Sequence, residues 1–591
     1  MAIHTTINSG GRQHVSSGGL ATSTIIKAEG IQHVFNGGLA TDTIINTFGV
    51  QHVSSGGSAT STNINGGQQH VSSGGSAIST TISGGGQLVS SGGTATSTTI
   101  NSDGRQYVAN GGSATTTTVK TDGIQFVDGG IATSTFISGG TQLVYNGGKA
   151  SSTTIGDQYS YTTAYQIISS GGSATLTTIR VSGQQHVSNG GTVTDTTISS
   201  GGQQHVSNGG TATETTISSG GQQLVSSGGS ATSTTINSGG QNVYNGGSAT
   251  FTTINGGGSQ NVSSGSTVTD TTINGGYQYV SSGGSAISTT INSGGQNVYS
   301  GGSATSTSIS GGYLDIDGGT ATDATLIAGS SYMYVRSNGS ATSTNLDRGS
   351  LYVNYGGTTT VTTINEGYQY VGGSAISTTI NSGGGGQFVS SGGTATSTTI
   401  NDGSQTVSVG GSATSTIING GSQYVNGSAT DITINGGYQG INGLATSNTI
   451  NSGGRQRVST GGRASVTTIN SGGSQEVRSG GTTTDTTING GKSWLMTGAV
   501  ANGETSVNGG GELLMDAGSL ATGVNISGGT LSVSDLSAAT SGQTTAQVGM
   551  LTMDGGNVNF LRNSDGEFAK LTITELSGTG NFLLNTSLAD K

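Results

Sequence analysis

The sequence predicts an all-β fold, a right-handed three-sided parallel β-helix with about 19 residues per coil. Three observations predict it: one motif recurs along the chain, its valines keep a strict spacing, and its side-chain parity forces corners. The motif reads GGSATSTNINGGQQHV from Gly56 to Val71, and close relatives of it run from Thr5 to about Gly490. The closing valines Val15, Val34, Val53, Val71, Val89, Val108 and Val127 lie 19, 19, 18, 18, 19 and 19 residues apart. Gly, Ser, Thr and Asn fill the unit, with β-branched Ile and Val at its apolar positions and no helical stripe, so each unit is strand and turn.

Parity sets how the unit bends. Gln51 and Val53 share a face of one strand, because side chains alternate with period two. Ala59 and Ile64 are five residues apart and cannot both point inward from one straight strand. A corner must fall between them, and the Gly pairs at 56/57 and 66/67 supply two more. Three short strands and three corners close one coil, and stacked coils bury columns of Ile, Val and Ala that no single coil could bury. At roughly 4.8 Å per coil, about 30 coils would extend ~140 Å along one axis, so the length of the chain does not imply several globular domains.

In chain order, residues 1–490 are predicted to be the repeat β-helix, with an irregular coil near 156–168 (GDQYSYTTAYQII) and shortened coils where Asn365, Asn381, Asn401, Asn419, Asn435 and Asn451 lie 16 to 20 apart. Residues 491–570 read as degenerate coils bearing Leu and Met, and 571–591, rich in Leu and Phe, as the start of a terminal cap. The opening MAIHTTINSGG enters in mid-repeat without a secretory pattern, and no apolar run is long enough to span a bilayer, so no direct membrane insertion of this segment is expected.

Composition narrows the function. There are 113 Gly, no Pro, no Cys and only 7% charged residues. A net charge of -11 without a basic stripe argues against nucleic acid as a partner. Catalysis needs one preorganised constellation, and repetition spreads each polar residue type along every coil, so the chain reads as no enzyme and no cofactor is expected.

Departures from the repeat are the places to look for function. The position between Gln and Val faces outward, and His14, His33, His52 and His70 occupy it on successive coils, with His186 and His205 on two more. They read as solvated histidines with at most a weak pH response. Farther along, the same column carries Tyr334, Tyr352, Tyr370, Phe388, Thr406 and Tyr424, each 18 residues from the next. This stripe reads either as a contact surface for sugar or protein or as cross-strand stacking that stiffens the ladder. Acidic residues collect at one corner position (Asp42, Asp195, Glu214, Asp270, Asp323, Asp485); without an Asp-rich nonapeptide they read as surface acids, not a calcium site. Arg457 and Glu476 are expected to form an exposed ion pair between coils. The Asn that follows Ile (Asn65, Asn101, Asn237, Asn255, Asn274) is expected at a left-handed corner with stacked amides.

The repeat of the form GGxATxTxINSGGxQxVSSGG, followed by the tail LSGTGNFLLNTSLAD, resembles the passengers of the self-associating autotransporter adhesins of Gram-negative bacteria, the AIDA, TibA and antigen forty-three type. The resemblance covers essentially the whole chain. It implies host-cell adherence, autoaggregation and biofilm formation, display at the bacterial outer membrane after export through the periplasm, and release from the cell as a further outcome. The implied partners are the chain itself, a host-cell receptor or glycan, and a dedicated heptosyltransferase acting on exposed hydroxyls. Candidate acceptors are Ser54, Ser55, Ser58, Ser61, Ser72, Ser73 and Ser76, beside the contact stripe Tyr334, Tyr352, Tyr370, Phe388 and Tyr424. The segment from Leu571 resembles the start of an autochaperone region, and the export signal and translocator barrel of the family are not in this sequence. Two alternatives from other classes are an ice-binding face built on Thr22-Ser23-Thr24, Thr41-Asp42-Thr43 and Thr60-Ser61-Thr62, and a polysaccharide-degrading enzyme using Asp315, Asp317 and Asp323.

Overall fold

The computed structural model describes residues 1–159, 162–535, 545–562 and 566–584. Among these residues every regular element is a β-strand, and neighbouring coils pair in parallel register, forming a β-solenoid as the repeat predicts. Two compact units are distinguished, Met1–Thr305 and Ser306–Lys591.

In the first unit the coil at Ser58–Val71 shows the plan. Ser58–Thr60 carries Ala59, Asn63–Asn65 carries Ile64, and Gln68–Val71 carries Gln69 and Val71. Ala59 pairs with Ala40 and Ala77, Ile64 with Ile45 and Ile82, and Val71 with Val53 and Val89. All of these are fully buried, so three apolar columns run up the interior.

Each corner follows from local chemistry. Ser54 to Gly57 is a type I′ turn: Ser55 and Gly56 both have left-handed backbones (φ 49 and 76), and Gly57 N–H donates to Ser54 O at 2.8 Å. Gly57 has an ordinary φ but no room, since a Cβ there would stand 2.3 Å from the Val34 carbonyl oxygen of the coil below. The first glycine of the pair is needed for conformation and the second for close backbone approach. The corner between Ala59 and Ile64 is one left-handed residue, Ser61 (φ 55). Bulky residues accept the same conformation there, Leu176 at φ 54 and Val361 at φ 56, so stacking imposes the bend on side chains that resist it.

The third corner differs from expectation. Asn65, Asn101, Asn237, Asn255 and Asn274 are not left-handed; Gly66 (φ 85), Asp103 (φ 60) and Gly257 (φ 84) take that conformation after them. The Asn stays extended, where its amide reaches the next coil: Asn255 Nδ2 donates to Asn237 Oδ1 at 2.8 Å. Amide stacking is therefore present without the left-handed backbone.

The interior also holds an unpredicted feature. Gln shares the inward face with Val and forms an unbroken amide ladder in the first unit, from Gln13 to Gln296. Gln69 Nε2 donates to Gln51 Oε1 at 2.7 Å and to Thr62 Oγ1 at 3.2 Å, while Gln69 Oε1 accepts from Gln87 at 2.7 Å and Thr80 at 3.3 Å. Both donors and both lone-pair sites of the amide are used, which makes full burial tolerable. The ladder continues through the irregular coil, where Gln166 donates to Gln142 across 24 residues, so the extra residues leave the core intact. Residues 160 and 161 of that coil lie outside the described set.

In the second unit the Gln position is apolar at Leu314, Met333 and Leu351, and amides resume at Gln369. Gln369 has no Gln below it, and buried Thr359 accepts its Nε2 at 3.1 Å instead. The run ends where Ser493 donates to Gln475 at 2.9 Å, and Leu513, Leu531 and Val558 complete an apolar column. Short coils lose corner residues and keep their strands: Gln439 donates to Gln423 only 16 residues earlier, across an Asn426-Gly427 corner. Lys570–Leu584 pairs in parallel with Thr545–Phe560, with Leu576, Phe582 and Leu583 exposed; 585–591, the remainder of the expected cap, lie outside the described residues.

Candidate functional site

With the interior filled by columns, the outward-facing columns carry whatever chemistry the coils offer. The candidate acceptor hydroxyls divide by position. Ser55, Ser61 and Ser73 sit at left-handed corners and are exposed, whereas Ser54, Ser58, Ser72 and Ser76 are half-buried beside them.

The histidines stack as the register demands. His14, His33, His52 and His70 have ring centroids 5.0 Å apart at each step, and His186 and His205 lie 4.7 Å apart. Burial against the sheet is the main cause lowering the pKa of His33, His52, His70, His186 and His205; neighbouring imidazoles add to it at His33, His52 and His205. No group of three metal-ligating side chains occurs among the described residues.

The aromatic stripe is one stacked column in the second unit. Tyr334–Tyr352, Tyr352–Tyr370 and Tyr370–Phe388 stack at 5.2, 4.9 and 5.3 Å with nearly parallel rings. Thr406 interrupts it before Tyr424, and the Arg336 guanidinium lies 5.0 Å from the Tyr334 ring. The stacked rings cover one another's faces while Tyr370 and Tyr424 stay exposed, so stiffening and an exposed aromatic edge coexist.

The alternative readings fare differently. Thr24, Thr43 and Thr62 are buried and bonded to the Gln ladder, because the left-handed residue before each turns it inward. The TxT pairs therefore present no flat double row of hydroxyls, and the ice-binding face is not formed. Asp315 is tied to Arg336 at 2.9 Å, with its carboxyl pushed up by burial against the opposing pull of Arg336, and Asp323 sits apart at a left-handed corner. The expected pair Arg457–Glu476 forms at 3.4 Å, and Arg478 joins it at 2.7 Å. At the corner acids, Glu214 is raised by its hydrogen bond to Asp195 and by that carboxylate's charge.

One feature escaped the sequence. Tyr438, Arg455, Arg457, Glu476, Lys492 and Trp494 line a cleft of about 490 Å³ on the outward face of the Gln-Val sheet. The available signal was the position of the chain's one Trp in the outward column, between Glu476 and Leu514.

Parts of this sequence match known proteins. The sequence model described as adhesin of bacterial autotransporter system, probable stalk (AIDA), matches residues 196–240 and 435–491, and that of pertactin matches 548–591. No curated protein matches significantly. Among solved structures, the crystal structure of a TibC-catalyzed hyper-glycosylated TibA fragment is 49% identical, covering 44% of this chain and 95% of that one, with a TM-score of 0.42. Sequence identity over nearly all of that fragment, rather than superposition, decides the assignment. The chain belongs to the autotransporter adhesin passengers. For this adhesin passenger, a cell-surface setting and a structural rather than enzymatic role follow from the families it matches.

Proposed function

We propose that this adhesin passenger joins cells by pairing with copies of itself and adheres to host surfaces, and that a dedicated heptosyltransferase glycosylates its corner hydroxyls. The observation that carries the reading is that each coil repeats the same outward polar set in register. In the second unit, half-buried Asn365, exposed Asn381, Asn401, Asn419 and Asn435, and half-buried Asn451 form one continuous amide column, each from Asn381 on donating to the one before it at 2.8–3.1 Å. Each such group offers a neighbouring chain only a weak contact, but repetition lets many act together, so avidity replaces a single hot spot. The glycosylated TibA fragment supports a transferase partner, and the left-handed corner serines are the hydroxyls best presented to one.

The test is display of the intact protein on cells, with and without a co-expressed heptosyltransferase. Displaying cells should clump and settle, and the purified chain should gain mass in multiples of one heptose, mapped first to Ser55, Ser61 and Ser73. Cells that stay dispersed in both conditions would sink the adhesive reading, and an unchanged mass would remove the transferase from it.

A further inference from the structure

We infer that the cleft around Trp494 binds a pyranose unit of an acidic saccharide. Three observations meet there. Two aromatic residues line it: Trp494 stands in the outward column, and the Tyr438 ring reaches over Gly440. Gly440 makes that possible, since a Cβ at Gly440 would come 3.1 Å from the Tyr438 hydroxyl oxygen. Tyr438 in turn carries the Arg457 guanidinium 5.8 Å from its ring centroid and borders Tyr424 at 6.0 Å, so the cleft continues the aromatic stripe. Sugars present an axial C–H face to such rings and hydroxyls to the rim.

The second observation is an unused donor. The Trp494 indole N–H is buried without a hydrogen-bond partner among the described residues, although nearly all buried donors find one. A turn of the indole toward the cleft would bring this N–H to a ring or hydroxyl oxygen of the bound sugar. The third is charge. Glu476 is held by Arg457 at 3.4 Å and Arg478 at 2.7 Å, and Glu512 by Lys492 at 3.0 Å and the Ser532 hydroxyl at 2.9 Å. Both carboxylates are thus neutralised locally, while exposed Arg455 has no ion pair among the described residues. On a chain of net charge -11, this cleft keeps a free cation. A carboxylate on the sugar matches Arg455 by charge-assisted hydrogen bonding, and the volume falls in the range of small-ligand pockets.

The site deepens the adhesive reading by giving it a receptor chemistry. It can fail while self-association stands, because the two are read by different signals. Trp494 is the one Trp of the chain, so its fluorescence reports this cleft alone. The intact protein is titrated with sialyllactose, trigalacturonate and a hyaluronan tetrasaccharide, with lactose and a hexaglutamate peptide as comparisons, and each titration is repeated by calorimetry. At least one acidic saccharide should shift the emission with a Kd near ~1 mM. Arg455→Ala, at an exposed position that leaves the fold unchanged by circular dichroism, should weaken that saccharide about tenfold. Gly440→Val, which displaces Tyr438, should weaken it as well. Neither emission change nor heat with any acidic saccharide up to about 10 mM would overturn the assignment. Equal responses to lactose or to hexaglutamate would also overturn it, the first by removing the anion and the second by removing the sugar.

Discussion

A glutamine at the inward position of this solenoid works only in company. Gln241 donates to Gln223 at 2.6 Å and to Thr234 at 3.1 Å, and accepts from Gln260 at 2.6 Å and Thr252 at 3.3 Å. Replacing it with Leu, which has similar bulk, leaves groups on both neighbouring coils without one partner each, a loss of about 2 kcal/mol. Gln241→Leu should therefore accelerate amide hydrogen exchange in the Gly221–Val225 and Gly258–Val262 strands by about thirtyfold, with distant coils unchanged. Leu314 and Leu351 occupy the same column without penalty because Met333 between them is apolar too, so no amide is orphaned. Parity alone places Gln beside Val on the inward face. Seeing that the amides meet requires the register between coils, which one coil's sequence does not contain. The Asn after Ile shows the reverse case: its turn preference suggested a left-handed corner, but the next Gly or Asp takes that conformation more readily and leaves the Asn extended to bond its copy.

Columns are the elements of this fold, and the histidine column carries a pH response. Because desolvation lowers the folded pKa of His33, His52 and His70, the unfolded chain takes up protons first as pH falls below the ordinary value of 6.5. Stability contributed by the neutral imidazoles is present above that value and is lost as pH falls from it toward the folded pKa values. Exchange protection in Ile31–Val34 and Val50–Val53 should accordingly drop between pH 7 and pH 5. Leu88 already continues this column above His70. The His33→Leu/His52→Leu variant should thus fold normally and lose most of that drop, and an undiminished drop would assign it to other groups. The aromatic column was legible as a stripe from its 18-residue spacing. Its continuation into a cleft was not, because the cleft needs Gly440 to empty one position, Tyr438 to fill it from two residues away, and Trp494 to close it three coils on.

At the scale of the whole molecule, function follows from counting. The period, the strand class and the three corners were readable because every coil must solve the same packing problem, and the comparisons place the chain among adhesin passengers on sequence grounds. The alternative built on the threonine ladder fails for a reason of geometry: one left-handed residue between two threonines sends the second into the core, and sequence spacing does not show a reversal of that kind. What distinguishes this surface from a conventional binding site is that its Asn, Ser and Thr columns recur on coil after coil. The most direct measurement of that claim is sedimentation velocity of the purified intact chain over rising concentration. Pairing through these columns should give reversible self-association that strengthens with concentration and persists at high salt, because the pairing groups are mostly uncharged hydrogen-bonding side chains. A chain that sediments as a monomer throughout, at low and high salt alike, would contradict it.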